Sequence, residues 1–598
     1  MNQKYIRNFS IIAHIDHGKS TLADRIMELT HTIDKRDEKD QLLDDLKVEQ
    51  EHGVTVKSRT VRNVYQAKDG HQYEYNFIDT PGHVDFSYEV SKSLAASDGA
   101  ILLVDATQGV QAQTVANYRL AKKNHLAIIP VINKVDMPAA NVEETEEQIR
   151  ELDDDLIEAE ILKISAKTGL GVEAVLEAIH TRIPAPKGDP KETLKALVFD
   201  SLYNPFLGII AYVRIFEGTL KTDEQAILVA ENVNIQTNEI GIFTPEMKQV
   251  DQLSVGDVGY VVTGLKDPQL VRVGDTLTLK DHPTKTPLQG YESAKSVVFA
   301  GFYPKNNDYQ ELKSALAKLV LNDPSLHYRE ELSDALGPGF RCGFLGMFHL
   351  QIIQERLKNE YGLEVLTTAP NVTYRIHLKK DGEVKEITNP TQFPYFNEID
   401  YIEEPIVNAT IEVPNDLMSA VMKLADQHKG ELMDMDSSAK NAELIYQIPV
   451  SEVAYQFFNE LKSVSHGYAT LDTEDAGYQK ADVVKVEVDI NYSPIDALSF
   501  VVHRSDAARL TQELVHKLKY TVPRALYPMP AQAIVEGKAL ARVDIPPLRK
   551  NAAVSATKKS ISKKQDLLRR QSVNKRQAVK NNVKLSQEVF NSILELKQ

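Results

Sequence analysis

The spacing of apolar residues along the 598-residue chain predicts a multidomain protein that combines α/β, β-barrel and α+β parts. Three observations predict it. Residues 5–183 alternate short apolar strands with amphipathic helices, the pattern of a mostly parallel sheet covered on both faces. Residues 194–279 hold short β-branched runs, no good helix, and turns at Gly256-Asp257 and Gly274-Asp275, which together read as a small barrel. Two later segments share the order β-α-β-β-α-β, the split-βαβ (ferredoxin-like) pattern of two-layer domains.

Taken in order, strands are predicted over 9–14, 73–79, 100–105, 127–132 and 160–164, with helices over 20–29, 86–97, 112–123 and 172–179. An Asp69-Gly70 turn inside 60–79 predicts a hairpin, so one edge strand should run antiparallel. Pro and Gly crowd 183–190, the first linker. The first repeat runs strand 296–302, helix 308–321, two short strands, helix 346–361 and strand 363–368. Its first helix has apolar residues at 312, 315, 316 and 319 on one face, and Asp308 is placed to cap it. The second runs strand 406–413, helix 415–429 ended by Gly430, strands near 432 and over 444–448, helix 452–462, then strand 468–472. A last domain holds strand 484–490, helix 507–518, a Pro-punctuated stretch to 548, and a basic tail. The domain boundaries read from these shifts are 1–186, 191–285, 291–376, 400–482 and 483–598.

Composition is that of an ordinary soluble protein, with 42% hydrophobic and 26% charged residues. A lone cysteine, Cys342, excludes an intramolecular disulfide framework and fits a reducing, cytoplasmic setting; it reads as a packed residue. His349 reads as a packing residue too. No Cys/His cluster suggests zinc, no signal-peptide core opens the chain, and no apolar run approaches the length of a membrane span. The net charge of −16 argues at first against nucleic acid as a partner. Its placement corrects that reading. From residue 549 onward thirteen Lys/Arg face three acids, a tail of +10 on a body of −26. The tail cations Arg549, Lys550, Lys558, Lys559, Lys563, Lys564, Arg569, Arg570, Lys575 and Arg576 favour a polyanion such as RNA. They would also suit the anionic inner face of a membrane, held peripherally, since 552–584 has no apolar face for insertion. By contrast, the ten carboxylates of 143–160 read as a solvated helix face.

Chemistry concentrates in four short motifs. AHIDHGKS (13–20) lies between a strand and a helix, with Ala13 where a phosphate loop usually starts on Gly. Backbone N–H groups of Asp16, His17, Gly18, Lys19 and Ser20 can wrap a β-phosphate at the helix N-terminus, which Thr21 continues. Lys19 adds a point charge to the β/γ-phosphates and the Ser20 hydroxyl can ligate Mg²⁺. In DTPGH (79–83), Asp79 can hold Mg²⁺ through water and the Gly82 N–H can meet a γ-phosphate. NKVD (133–136) follows the next strand. Asp136 can accept from the N1–H and exocyclic amine of guanine, a pair that adenine lacks. Asn133 can donate toward N7, Lys134 can lie along ribose and base, and Val135 spans the two. Ser165, Ala166 and Lys167 can place backbone N–H groups on guanine O6. Four such pieces in order, each at the carboxyl end of a strand, read as a GTP/GDP site.

AHIDHGKS, HGVTV (52–56), DTPGH, NKVD and SAK together resemble the GTPases of translation. Outside that region, the runs at 335–357, 366–370 and 461–472 are similar to the third and fifth domains of the elongation factor 4 (LepA) family. The resemblance covers essentially the whole chain. It implies a P-loop GTPase domain, a translation-factor β-barrel, two split-βαβ domains and a LepA-type C-terminal domain. Only about thirty residues separate the two split-βαβ units, so the long tRNA-mimicking domain of elongation factor G is absent. The resemblance implies a catalytic set of His83, Asp16, Lys19 and Thr55, with Thr55 meeting Mg²⁺ and γ-phosphate and His83 orienting the attacking water. Ile15 and Val54 match the apolar pair that flanks that histidine. Implied partners are the ribosome, through rRNA and tRNA in the intersubunit space, with no DNA, and the chain would act as a monomer. The implied role is remodelling of ribosome–tRNA complexes, a back-translocation or fidelity step under stress. A translocation or ribosomal-protection factor and a GTP-switched ribosome-assembly factor are the alternatives. Three departures from the family pattern stand out: EQEHG (49–53) lacks two arginines, and SDAARLTQ (505–512) and ATKKS (556–560) replace family motifs of the C-terminal domain. The first bears on switch contacts with ribosomal RNA, the others on contact of the tail with tRNA.

Overall fold

The structure, a computed structural model, describes residues 2–14, 16–33, 48–49, 55, 58–81, 86–267, 270–288, 296–306, 308–323, 325–380, 382–437, 441–465, 469–525, 527–548 and 587–594. Strand β1 (Ile6–Ala13) is buried along its whole length, as a strand covered on both faces must be. Around it β2 (Thr60–Gln66), β3 (Gln72–Ile78), β4 (Gly99–Asp105), β5 (Ala127–Asn133) and β6 (Leu162–Lys163) form one sheet in the order β2-β3-β1-β4-β5-β6. All neighbours are parallel except β2, which returns antiparallel on β3 through the turn at Asp69-Gly70. The Asp69 carboxylate accepts from the His71 N–H at 2.8 Å and Gly70 takes φ 87°, so the predicted hairpin is built as its residues suggested.

Helices α1 (Lys19–Leu29), α2 (Ser87–Ala95), α3 (Ala112–Lys123), α4 (Val142–Arg150), α5 (Asp154–Ile157) and α6 (Val172–Arg182) cover the two faces. α1 and α6 bury Leu22, Ile26, Leu176 and Ile179 on one side, while α2, α3 and α4 bury Val90, Leu94, Tyr118 and Ile149 on the other. Each such aliphatic side chain contributes roughly 1.5–3 kcal/mol. α4 hides only Thr145 and Ile149 and turns most of its carboxylates to solvent, as its charge run predicted.

The barrel region is an eight-stranded antiparallel sheet running from Lys195–Asn204 to Thr276–Leu279, with a two-strand ribbon of Thr219–Lys221 and Gln252–Ser254. It meets the first domain through Ile78, Ala96, Leu197, Phe199 and Val258. Around that apolar contact, Arg214 pairs with Asp98 at 2.5 Å and Arg62 with Asp257 at 2.9 Å.

Both split-βαβ units place their strands in the spatial order 2-3-1-4. In the first, His327–Ser333, Gly337–Phe344, Val298–Pro304 and Val365–Thr367 lie side by side; in the second, Glu431–Ser437, Asn441–Pro449, Ile399–Pro414 and Thr470–Ala481. Several local expectations are corrected. The Asp308 side chain makes no capping bond to helix Tyr309–Asn322. Helix 415–429 is shorter, Met418–Gln427, because Asn415 and Asp416 sit in a turn after Pro414. Helix 452–462 is broken by a π-turn over Val453–Phe457. The strand predicted over 406–413 starts at Ile399, and the connector before it carries a hairpin, Tyr374–Leu378 with Val384–Ile387, that extends the same sheet. Charged and polar residues alternate through that hairpin, so only one face offered an apolar signal.

The C-terminal sheet combines Val483–Ile490, Phe500–His503, Met529–Val535 and Lys538–Ile545 with helix Arg504–Thr521. Helix Gln587–Leu594 returns onto it and buries Val589, Phe590 and Ile593. The last turns of the predicted basic tail are therefore core. Its cations from Arg549 to Lys584 lie outside the described residues.

Candidate nucleotide site

The motifs converge at the carboxyl ends of β1, β3 and β5 and in the loop after β6. Between β1 and α1 the chain must turn sharply, with Asp16 at φ 63° and Gly18 at φ 94°. Gly18 has a second reason to be glycine: a Cβ there would lie 2.4 Å from Asn133 Nδ2. That closeness reflects a brace. Asn133 Nδ2 donates to the His17 carbonyl at 2.9 Å, and Asn133 Oδ1 accepts from the Ala166 N–H at 2.9 Å. Lys134 Nζ donates to the Asp16 carbonyl at 2.7 Å. Two consecutive NKVD residues thus hold two consecutive carbonyls of the phosphate loop, and one of them also holds the SAK loop.

Lys19, at the first position of α1, is nearly inaccessible. Its Nζ donates to Asp79 Oδ1 at 2.6 Å and to Thr55 Oγ1 at 2.7 Å. Thr80 donates from its own N–H back to the Asp79 carboxylate at 3.0 Å and from its hydroxyl to the Ile11 carbonyl at 2.7 Å, fixing the end of β3 against β1. His17 is fully buried, and that burial pushes its imidazole down to about 4 despite the nearby Asp105, so the ring is neutral at pH 7. Ser20 is half-buried, Thr21 and Asp136 are exposed, and Val135 donates its N–H to the Ile164 carbonyl at 3.2 Å. In the SAK loop, Ser165 Oγ accepts from the Thr168 N–H at 3.2 Å, and Arg25 of α1 donates to the Lys167 carbonyl at 3.0 Å.

The structure therefore brings Asp16, His17, Gly18, Lys19, Thr55, Asp79, Asn133, Lys134 and Ala166 together in one cluster at the strand ends. Ile15, Val54, Gly82 and His83 lie outside the described residues. One residue escaped the motif reading. Asp105, the last residue of β4, pairs with Lys134 at 2.7 Å with its own side chain fully enclosed. Its position at a strand end was the signal that could have found it. Among the described residues no group of His, Cys, Asp and Glu could hold a metal by itself. Cys342 is fully buried in the first split-βαβ core, with its thiol pushed up by burial. His349 does more than pack: it accepts from the Leu345 N–H at 3.1 Å and holds Asp323 at 2.9 Å.

A parallel sheet with a P-loop braced by an NKVD motif, joined to a barrel and two split-βαβ units, defines a P-loop GTPase of translation. Comparison with known proteins agrees region by region. Residues 4–185 match the family described as elongation factor Tu GTP binding domain, and 208–278 match elongation factor Tu domain 2. Residues 401–488 match elongation factor G C-terminus, and 490–595 match GTP-binding protein LepA C-terminus. The chain belongs to the elongation factor 4 family. It is 61% identical to Elongation factor 4 2 of Lactiplantibacillus plantarum, covering 100% of both chains. It is 47% identical to Elongation factor 4 of Geobacillus thermodenitrificans over 99% of this chain and 98% of that one. The Aquifex aeolicus factor is 46% identical with 100% of both chains covered. A solved structure from Thermus thermophilus shares the fold at a TM-score of 0.57 and 18% identity, covering 80% of this chain and 97% of that one. The protein hydrolyses GTP and acts on the ribosome in translation; the assembly-factor and translocation readings are not favoured. No helix among the described residues is long and apolar enough to cross a membrane.

Proposed function

We propose that this cluster binds GTP with Mg²⁺ and that ribosome contact triggers hydrolysis, which drives remodelling of ribosome–tRNA complexes by a cytoplasmic monomer. The observation that supports this most is the brace itself: Asn133 and Lys134 tie base-reading residues to the Asp16 and His17 carbonyls, so one rigid unit can grip both ends of a nucleotide. Asp136 reads the N1–H and amine of guanine, and the Ala166 and Lys167 backbone receives O6. Lys19 balances the β/γ-phosphates.

The residues fit a magnesium ion. Ser20, Thr55 and Asp79 are hard oxygen donors, and the Lys19 ammonium already lies within 2.7 Å of the Thr55 and Asp79 oxygens, so positive charge is at home between them. When bound, the ion would neutralise phosphate charge as the γ-phosphoryl leaves. The protein supplies position and electrostatics: the loop N–H groups and Lys19 stabilise the separating phosphates, while Thr55 and Gly82 close on the γ-phosphate. His83 orients water for in-line attack, and Ile15 and Val54 hold that histidine back until the ribosome sets it. The cations Arg549 to Arg576 approach ribosomal RNA; peripheral contact with the inner membrane surface is a secondary use of the same charge.

GTP turnover with and without ribosomes, on wild type and His83→Ala, tests the reading. The variant should keep normal GTP binding and lose ribosome-stimulated turnover by at least about a thousandfold. Stimulated turnover at the wild-type rate would refute the assignment.

A further inference from the structure

We infer that Asp105 is a positioning residue for nucleotide binding: it holds the Lys134 ammonium against the phosphate loop before the ligand arrives. The inference rests on the reading of this cluster as the nucleotide site. Asp105 ends β4, flanked in the sheet by β1 and β5, so it faces the phosphate loop on one side and NKVD on the other. Its carboxylate is wholly enclosed, whereas Lys134 is about a third exposed. An enclosed carboxylate persists only when its lone pairs are filled. Oδ1 accepts from the N–H and the hydroxyl of Thr107, each at 2.8 Å, and Oδ2 from the Gln108 amide at 3.2 Å. The Gly109 N–H closes the same turn on the Asp105 carbonyl at 2.8 Å. These bonds fix the anion independently of Lys134.

Lys134 is the residue that needs fixing. It sits at φ 60°, a conformation lysine seldom adopts, and its long side chain has many rotamers to lose. Asp105 and the Asp16 carbonyl, each 2.7 Å from Nζ, select one arrangement. The main chain of Asp105 touches the loop as well, donating its N–H to His17 Nδ1 at 3.3 Å. Burial opposes the charge on Asp105, but the Lys134 and Thr107 donors outweigh it and hold the carboxyl below its ordinary range. The residue is thus an anion at neutral pH. A lysine ordered in advance along ribose and base lowers the cost of binding, and its loss should appear chiefly as faster nucleotide release.

Release of fluorescent GDP and GTP analogues from wild type, Asp105→Asn, Lys134→Met and the double variant tests this. Asp105→Asn should speed release of both nucleotides about tenfold, with Lys134→Met at least as fast and the double variant no faster than Lys134→Met alone. In ribosome-stimulated turnover, KM for GTP should rise about tenfold while kcat stays within about twofold. Single effects that multiply in the double variant would overturn the inference, as would wild-type release from Asp105→Asn while Lys134→Met releases faster. If Lys134→Met itself binds like wild type, the reading of the site is at fault instead. Should Asp105→Asn lose its cooperative melt, Thr107→Val takes its place: it loosens the carboxylate without changing its charge and should speed release about threefold. Unchanged release from that variant would also overturn the inference.

Discussion

Two clusters of paired ions, one in each half of the chain, use the same physics to different ends. In the nucleotide domain Lys19, Asp79, Lys134 and Asp105 come from the strand ends and loops of one sheet. Between the second split-βαβ unit and the C-terminal domain a second cluster joins residues far apart in sequence. His428 bonds Glu452 and Glu460, each at 3.1 Å, and Lys429 pairs with Glu452 at 2.6 Å and Asp506 at 2.9 Å. His503 bonds Glu404 at 3.0 Å. Here the pairing clasps one domain to the next. In the first cluster the partners of Lys19 are the Asp79 and Thr55 oxygens, which on the proposed function also face the nucleotide, so that the pairing is exchanged when it enters. The first cluster lies at the carboxyl ends of a parallel sheet, where ligands bind such folds, and the second lies between two domains.

That contrast can be broken from either side. Lys19→Met should have the largest effect, lowering GTP affinity at least about a hundredfold in titration calorimetry. Wild-type affinity would make Lys19 a mere partner of Asp79 and erase the difference between the clusters. Glu452→Gln should cost about 2 kcal/mol of stability in denaturant unfolding, because it takes one charged partner each from His428 and Lys429, which keep Glu460 and Asp506, while GTP affinity is unchanged. Loss of GTP affinity in that variant would show the clusters to be coupled. The smallest effect is one of pH. Burial alone would lower the His428 pKa, but its bonds to Glu452 and Glu460 raise it above 6.5. Its contribution is therefore fully present below about pH 6.5 and is lost as pH rises through the raised value. Burial pushes Glu452 up, but His428 and Lys429 hold it down at about 2, so its contribution is present above about pH 4.5 and is lost as pH falls toward 2. Wild-type melting temperature should thus fall by roughly 2 °C between about pH 6 and about pH 9, and His428→Gln should flatten that decline. An equal decline in both proteins would remove His428 from the clasp.

The same contrast explains what could be read from sequence. Lys19, Asp79, Asn133 and Asp136 sit in short motifs, as the proposed site requires, since a phosphate and a base would impose contacts on successive residues of one loop. The barrel and both split-βαβ orders were legible from periodicity, since apolar alternation reports which face is buried. The clasp carries no local signal: Glu404, His428, Glu452 and His503 meet only after two sheets have packed. Asp308 looked like a cap because residue type fits that role, but its geometry at φ −91° and ψ 31° leaves the side chain out of it. Helix Gln587–Leu594 hid inside a segment read by charge, although Val589, Phe590 and Ile593 carry helical spacing. The hairpin before Ile399 was missed because its polar face gave no run long enough to stand out.

The central claim is that NKVD reads guanine while bracing the loop that holds the phosphates. Nucleotide binding by Asp136→Asn, measured for GTP and for xanthosine triphosphate, tests it most directly. The account predicts that GTP affinity falls about a hundredfold and that the xanthine nucleotide binds in its place, because its 2-oxo group accepts where the guanine amine donates. Undiminished preference for GTP would contradict it.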